Sequence, residues 1–200
     1  WTESAAGFDY YTSPDLERWQ GAFPAFRPPA GFWADRNFWA PEVHVYRGAC
    51  YLFASFKAEG VRRGTQILAA DSPQGPFVPI SDGPVTPREW ECLDGTLFVD
   101  AHGGPWMVFC HEWVQVGDGE VCALRLSDDL ASASEEPRLL FRASEAPWAQ
   151  PISSKGRHGY VTDGPWLHRL ASGALILLWD GDENTTSARL EQARRAFRFD

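Results

Sequence analysis

A hairpin-like segment that recurs three times is the feature that most constrains the fold of this chain. The three copies read APEVHVYRGACYLFAS from Ala40, DGTLFVDAHGGPWMVFC from Asp94 and DGPWLHRLASGALILLW from Asp163. In each copy a glycine follows an aligned aliphatic residue by five or six positions, giving the pairs Val43 and Gly48, Leu97 and Gly103, and Leu167 and Gly173. Glycine tolerates the positive φ that a tight hairpin turn requires. The pattern therefore predicts three β-hairpins.

A second motif, a strand followed by a turn, alternates with the first. It reads YYTSPDLERW from Tyr10, LAADSPQGPF from Leu68 and LRLSDDL from Leu124, with serines 59 and 55 residues apart at Ser13, Ser72 and Ser127. A unit of this length that opens with a hairpin and closes with a turn is typical of a four-stranded propeller blade. A β-sandwich also contains many short strands, but it does not predict two motifs that recur in the same order.

The composition agrees with an all-β propeller. Ten Trp, thirteen Phe, eighteen Gly and fifteen Pro residues favour short aromatic strands joined by turns. We expect one domain over residues 1–200, with the outer part of a first blade at 1–30, a second blade at 38–80, a third at 93–142 and the start of a fourth at 160–180. Residues 181–200 show a helical spacing of apolar residues. A closed ring needs at least four blades, and this chain supplies about three to three and a half.

Charge and cysteine content exclude several classes of function. The net charge of −9 and the pI near 5.0 argue against a nucleic-acid partner, which needs clustered Lys and Arg. No apolar stretch is long enough to cross a membrane, and no leader is visible in a sequence that starts at Trp1. The four cysteines lack metal or redox spacing and are expected to be buried apolar residues, although disulfides stay open. The location is not determined, with a slight preference for the cytoplasm, and neither is the oligomeric state.

Acidic residues open all three hairpins. Glu42, Asp94 and Asp163 lie within a residue or two of the aligned strand starts. Because the first strand of each blade lines the propeller axis, these side chains are expected to meet in one cavity. Mutual repulsion there raises the pKa of at least one carboxyl group, which can then act as a general acid while another, ionised carboxylate activates water. Alternatively, each acid only caps a turn, but three at equivalent positions favour a glycosidase.

Aromatic residues accompany these acids. Trp39, Trp90 and Trp166 stand close to Glu42, Asp94 and Asp163 in the sequence. Sugar rings present C–H surfaces that pack on aromatic faces, so the pattern favours a carbohydrate ligand, although any one of these tryptophans can instead be a core residue.

The residues His111, Glu112 and Trp113 are expected to close the second strand of the third blade. Glu112 is an alternative acid for the cavity, and Trp113 is an additional aromatic contact. A metal site is not favoured, because a strand directs the side chains of His111 and Glu112 to opposite faces.

Taken together, these segments resemble glycoside hydrolase family 43, the five-bladed arabinofuranosidases, xylosidases and arabinanases. The resemblance covers about residues 8–180 and rests on FWAPEVH at 38–44, LDGTLFVDAHGGPWMVF at 93–109 and VTDGPWLHR at 161–169. It implies that Asp94 tunes the acid and that Asp163 donates the proton, where the family typically has Glu. The substrate-binding residues expected from these segments are Trp39, Glu42, His44, Trp113 and Trp166.

The resemblance also implies an inverting enzyme that removes terminal arabinofuranosyl or xylosyl units from plant polysaccharides or oligosaccharides. No cofactor is expected, although some relatives hold a divalent cation on the axis. The family's general base lies on a strand that would precede Trp1, so we expect little hydrolytic activity from these 200 residues alone. Two alternatives stay open: a carbohydrate-binding propeller that has lost catalysis, and a related five-bladed glycosidase that acts on other sugars.

Overall fold

The computed structural model of the chain describes residues 7–154 and 156–181, and these form an all-β structure, as predicted. The strands are β1 (Phe8–Thr12), β2 (Gln20–Phe26), β3 (Arg36–Tyr46), β4 (Ala49–Ala58), β5 (Val61–Ala70), β6 (Val78–Pro79), β7 (Cys92–Val99), β8 (Pro105–His111), β9 (Glu120–Arg125), β10 (Arg138–Arg142), β11 (Ile152–Ser154), β12 (Arg157–Gly159), β13 (Asp163–Arg169) and β14 (Leu175–Asp180). A single turn of helix, α1 (Trp113–Val116), lies between β8 and β9. Within the described ranges, no helix is long and apolar enough to cross a membrane.

Two sheets are complete blades. Strands β3 to β6 form one four-stranded antiparallel sheet, called blade 2, and β7 to β10 form the next, called blade 3. The pairs β1–β2, β11–β12 and β13–β14 are two-stranded sheets. Strand β7 packs against β4 and β5 of blade 2 and against β13. The predicted propeller-type fold is confirmed, and the described sheets form an open part of the ring.

The serine turns mark the third strand of each blade. Ser72 follows β5 and Ser127 follows β9, the third strands of blades 2 and 3, and Ser13 follows β1. In two of these turns the hydroxyl accepts a backbone N–H two residues later, from Asp15 to Ser13 at 3.3 Å and from Gln74 to Ser72 at 3.2 Å. We infer that β1 and β2 are the two outer strands of a first blade.

Two features of the structure differ from the organisation predicted from the sequence, and a third prediction falls outside the described residues. The hairpin β11–β12 stands between blade 3 and β13, where the sequence pattern indicated no strands. Strand β8 ends at His111, so Trp113 begins α1 and does not close a strand. The predicted helical tail lies outside the described residues, apart from Gly181.

Both faces of blade 2 are buried. Successive residues of β4 point to opposite sides of the sheet. Phe56 joins an aromatic cluster with Phe38, whose ring centroid lies 4.8 Å away, and with rings from β1 and β2. Phe53 joins a second cluster with Met107 and Phe109 of blade 3. This two-sided burial explains the continuous apolar run in β4.

The four cysteines are buried and carry free thiols, so they form no disulfide with one another. Burial raises the pKa of the Cys122 thiol to about 12. The expectation that they act as small apolar residues is confirmed by their positions in the core clusters.

The inner strands β3, β7 and β13 share a bulge at the same repeat position. In each strand two residues stand opposite one residue of the partner strand, at Ala40–Pro41, Asp94–Gly95 and Gly164–Pro165. The first residue of each pair is left-handed, with φ of 46° at Ala40, 55° at Asp94 and 53° at Gly164. Each lies three positions before the aligned Val43, Leu97 or Leu167. A bulge bends the strand and redirects its side chains, which here occurs at the acidic segment of every copy.

The bulge in β7 is held by hydroxyl groups of blade 2. The Asp94 N–H donates to Ser55 Oγ at 2.9 Å, and the Gly95 N–H donates to Thr65 Oγ1 at 3.1 Å. Ser55 and Thr65 are fully buried and lie opposite each other on β4 and β5. Two N–H groups that a bulge removes from the ladder are therefore satisfied by the neighbouring blade.

We predict that Gly95→Ala destabilises the protein by about 1–3 kcal/mol, the usual cost of overpacking a core. A Cβ at Gly95 would lie 2.7 Å from Thr65 Cγ2 and 2.8 Å from Met107 Sδ. Gly83→Ala is the matched control, because a Cβ there meets no described atom within 4 Å. Urea unfolding of both variants checks this. Equal midpoints for the two would contradict the close packing of blade 3 on blade 2.

Candidate active site

The three bulges open into one cavity of about 1170 Å³. Asp94 and Asp163 both line it, so the two carboxyl groups singled out in the sequence share a pocket. The other lining residues that bear on its chemistry are Trp39, Glu42, Glu112, Trp113, Arg157, Trp166 and Asp180. Seven of the eight predicted site residues are therefore brought together. Their chemical roles stay predictions.

Glu42 is the ionised carboxylate of the group. Its Oε1 lies 3.4 Å from His44 Nε2. Burial works to raise the pKa of Glu42, but hydrogen bonds from His44 and Thr96 and the charge of His44 outweigh it and hold that pKa below its usual value. Glu42 is therefore suited to stay negative near neutral pH.

His44 lies behind Glu42, and among the described residues it is not part of the cavity wall. The His44 ring packs edge-on against Phe53, with ring centroids 5.2 Å apart. Side chains two residues apart on a strand share a face, so His44 lies on the same face of β3 as Glu42, at the next position along it. Any effect of His44 on a ligand would pass through Glu42.

Asp94 joins blade 3 to β13. Its Oδ2 accepts the Gly164 N–H at 2.9 Å, in the peptide that follows Asp163. Burial raises the pKa of Asp94, the hydrogen bond from Gly164 and the charge of Arg63 partly offset this, and the negative charge of Glu42 adds to the rise. Asp94 thus differs from Glu42 in the direction of its pKa shift, although both face the same space.

Glu112 stands at the end of β8 and is paired with Arg63 of blade 2. Burial raises the pKa of the Glu112 carboxyl group, while the positive charge of Arg63 works in the opposite direction. Its proximity to a buried guanidinium was not visible in the sequence.

Asp163 and Asp180 face each other at the open end of the β13–β14 hairpin. They are register partners, and both line the cavity. Asp180 was not among the predicted site residues. Counting back from the turn at Gly173 along both arms of the hairpin would have paired it with Asp163, provided that the bulge was allowed for.

Three aromatic residues form apolar parts of the wall. Trp39, Trp113 and Trp166 all line the cavity. Trp166 is 44% exposed, and its ring stacks on His168 with centroids 5.4 Å apart. An exposed indole beside acidic groups provides the surface that a sugar ring packs against.

Trp90, which the sequence also placed next to an acid, does not belong to this site. It packs against the core and stacks on His111 with centroids 4.2 Å apart and an interplanar angle of 7°. His111 in turn is paired with Glu120 and Gln115. Core packing, the alternative for any single tryptophan, is the correct interpretation of Trp90.

The hairpin β11–β12 supplies one side of the cavity that the sequence did not predict. Ile152, Ser154 and Arg157 all line it. The Arg157 Nη1 donates to the Val114 carbonyl at 2.8 Å, which attaches the hairpin to α1. Short strands without a repeat partner leave no periodic signal, so this wall was missed.

Within residues 7–154 and 156–181, no three His, Cys, Asp or Glu side chains are arranged to hold a metal ion. An axial divalent ion stays a prediction.

Known proteins with related sequences and folds share this arrangement of strands. A sequence model described as glycosyl hydrolases family 43 matches residues 1–188. An endo-arabinase from Bacteroides thetaiotaomicron has a similar structure, with 47% identity, a TM-score of 0.84 and coverage of 88% of this chain and 62% of the other. A thermostable family-43 glycoside hydrolase is 20% identical, with a TM-score of 0.72 over 90% of this chain and 58% of that one, which is a likeness of fold alone.

A curated relative is the extracellular exo-α-(1→5)-L-arabinofuranosidase of Cellvibrio japonicus. It is 27% identical over 145 residues, which cover 64% of this chain and 40% of that protein. The chain thus spans 40% of the curated relative and 62% of the solved endo-arabinase. The slight preference for a cytoplasmic location is wrong, because this relative is extracellular.

We predict opposite stability effects for two Asp→Asn variants. Because the pKa of Asp94 is raised in the folded state, ionising it costs stability as the pH rises above its unfolded value of about 3.9. Asp94→Asn should therefore raise the Tm at neutral pH, and the gain should vanish below about pH 4. Asn also tolerates the left-handed backbone.

Asp100→Asn is the control outside the cavity. Burial works to raise the pKa of Asp100, but hydrogen bonds from Trp106, Gly104 and His102 hold it below its usual value. This variant should lower the Tm at neutral pH, with the loss shrinking as the pH falls through the folded pKa. Thermal scans across pH measure both. A fall in Tm at neutral pH for Asp94→Asn as large as that for Asp100→Asn would contradict the burial argument.

Proposed function

Because the chain belongs to glycosyl hydrolases family 43, we propose that the protein hydrolyses glycosidic bonds of arabinose- or xylose-containing plant polysaccharides at this cavity. Membership confirms the resemblance carried by the three hairpin motifs. The observation that supports the proposal most directly is that Asp94 and Asp163, from different sheets, line one cavity with exposed indole surface. Two carboxyl groups on either side of a bond to a sugar are the minimal machinery of glycoside hydrolysis.

In this proposal Asp163 donates a proton to the leaving oxygen. It stands at the start of β13, at the cavity wall. The side chain is one methylene shorter than the Glu typical of the family, so the bulge at Gly164 has to present the carboxyl group closer to the sugar. An ionised carboxylate on the other side of the ring activates water in an inverting reaction.

Asp94 supports this donor through the backbone. Its carboxylate accepts the Gly164 N–H, so it fixes the peptide next to Asp163. Its negative charge also favours the protonated form of neighbouring carboxyl groups. These two effects match the role of an acid that orients and tunes the proton donor.

The sugar is proposed to pack on Trp166 and Trp39, with Glu42 accepting hydrogen bonds from its hydroxyl groups. Aromatic faces bind the C–H side of a sugar ring, and charged acceptors bind its hydroxyl groups. Arabinofuranosyl units are favoured over xylosyl units, because the relatives at 47% and 27% identity are an endo-arabinase and an arabinofuranosidase. We propose removal of terminal units with inversion, by an exported protein.

A second candidate is a propeller that binds the same carbohydrate without cleaving it. The Asp at position 163 favours this alternative, because a shorter donor can be too far from the leaving oxygen. Retention of Asp94 with its hydrogen bond to the donor strand argues against it.

In a form of the protein that includes the strand carrying the general base, we expect release of arabinose from α-1,5-linked arabino-oligosaccharides to be faster than release of xylose from xylo-oligosaccharides. Asp163→Asn should lower kcat by about 10²–10⁴, the usual contribution of a general acid, while the Kd for the oligosaccharide stays within about threefold. Product analysis and calorimetry measure these quantities. Oligosaccharide binding without turnover in the unsubstituted protein would favour the binding propeller.

An aryl glycoside controls for the assigned role. A nitrophenolate leaving group needs little protonation, so Asp163→Asn should lose much less activity on nitrophenyl arabinofuranoside than on the oligosaccharide. Equal losses on both substrates would remove Asp163 from the role of proton donor.

A further inference from the structure

Arg63 is a buried cation beside the cavity, and none of the roles described so far uses it. It lies on β5 of blade 2, and its side chain is only 11% exposed. Within the described part of the chain, its Nε is buried without a hydrogen-bond partner. Burying a charge is costly unless the charge is paired, so the groups that compensate Arg63 have to stay close to it.

The guanidinium contacts three groups from two blades. Its Nη1 pairs with the Glu112 carboxylate, and its Nη2 donates to Asn37 Oδ1 at 3.3 Å. Its central carbon lies 4.4 Å from the centroid of the Trp39 ring, within range of a cation–π contact. Glu112 and Trp39 line the cavity, so one planar group holds an acidic and an aromatic part of the same wall.

We propose that Arg63 is a positioning residue that holds the Trp39 ring and the Glu112 carboxylate on the wall of the sugar cavity. In this arrangement Glu112 is the counter-ion of Arg63 and not the proton donor. The inference deepens the proposed function and rests on it for the identity of the ligand. It separates the two candidate acids, because Glu112 is bound to a fixed cation while Asp163 stands on the strand that Asp94 orients.

The charge of Arg63 has a second consequence. Among the described residues, five carboxyl groups line the cavity, at Glu42, Asp94, Glu112, Asp163 and Asp180. Arg63 lowers the cost of ionising both Asp94 and Glu112. The remaining charged groups that act on Glu112 are Glu91, Lys57 and Asp94, and Glu91 is itself held by Lys57 at 2.7 Å. Removing Arg63 should therefore raise the pKa of Asp94 and the pKa of Glu112.

Three variants separate the geometric effect from the charge effect. Arg63→Met should weaken oligosaccharide binding about tenfold, the size of a desolvated cation–π contact, and should move the acid limb of the kcat/KM profile to higher pH. Arg63→Lys should keep the acid limb at the pH of the unsubstituted protein, because the positive charge is retained. It should not restore the affinity, because an ammonium group lacks the planar surface for Trp39 and the second nitrogen for Asn37. Glu112→Gln should lower kcat by less than about tenfold, whereas loss of a proton donor costs about 10²–10⁴.

Arg138→Met is the matched control. Arg138 also lies over an indole, that of Trp106 at 5.0 Å, but outside the cavity. This variant should leave affinity and pH profile unchanged. If Arg63→Met fails to fold, the double variant Arg63→Met/Glu112→Gln also removes the Glu112 charge that would otherwise be buried without a partner. Its affinity for the oligosaccharide should be reduced as expected for Arg63→Met.

A titration that needs no sugar distinguishes failure of this inference from failure of the proposed function. The carboxyl carbon of Glu112, followed by NMR, should titrate at higher pH in Arg63→Met than in the unsubstituted protein and in Arg63→Lys. An unchanged Glu112 titration, an unchanged affinity, or a Glu112→Gln loss of a hundredfold or more would overturn the inference. An unsubstituted protein that shows the expected titration but binds no arabino-oligosaccharide would instead refute the proposed function.

Discussion

The bulge at Asp94 and Gly95, held by two hydroxyl groups of the preceding blade, is the constraint on which the site depends. In a regular β7, the Asp94 side chain would follow the alternation of its neighbours, and its N–H would take part in the hydrogen bonds between strands. Ser55 and Thr65 instead take up the two freed N–H groups from a fully buried position. Because these hydroxyls belong to blade 2, the orientation of an acid in blade 3 is fixed by the contact between blades.

The same device is repeated in β3 and β13, and it explains how a repetitive fold produces a non-repetitive site. The left-handed residue occupies an equivalent position in each copy, yet the acids stand at different offsets from it, at Glu42, Asp94 and Asp163. Each therefore enters the cavity from its own direction. The hydrogen bond from Gly164 to Asp94 then joins two of the bulges directly.

Electrostatics separates the acids further. His44 stabilises the charged form of Glu42, while burial opposes the charged forms of Asp94 and Glu112. Carboxyl groups whose environments push their pKa values apart can divide acid and base roles within one cavity. Much of the blade order and most of this site followed from the sequence, because the repeat period placed the acids at equivalent strand starts. Arg63, Asp180 and the β11–β12 hairpin did not, because a contact across blades, a bulge-shifted register and an unrepeated hairpin leave no periodic signal.

The most direct test of a shared sugar cavity is a crystal structure of the Asp163→Asn variant with a bound arabino-oligosaccharide. We expect one sugar ring on Trp39 or Trp166, with the side chains of residues 94 and 163 both facing its scissile bond and separated by less than about 10 Å. A sugar bound on the outer face of a blade, or side chains at 94 and 163 too far apart to reach one ring, would contradict it.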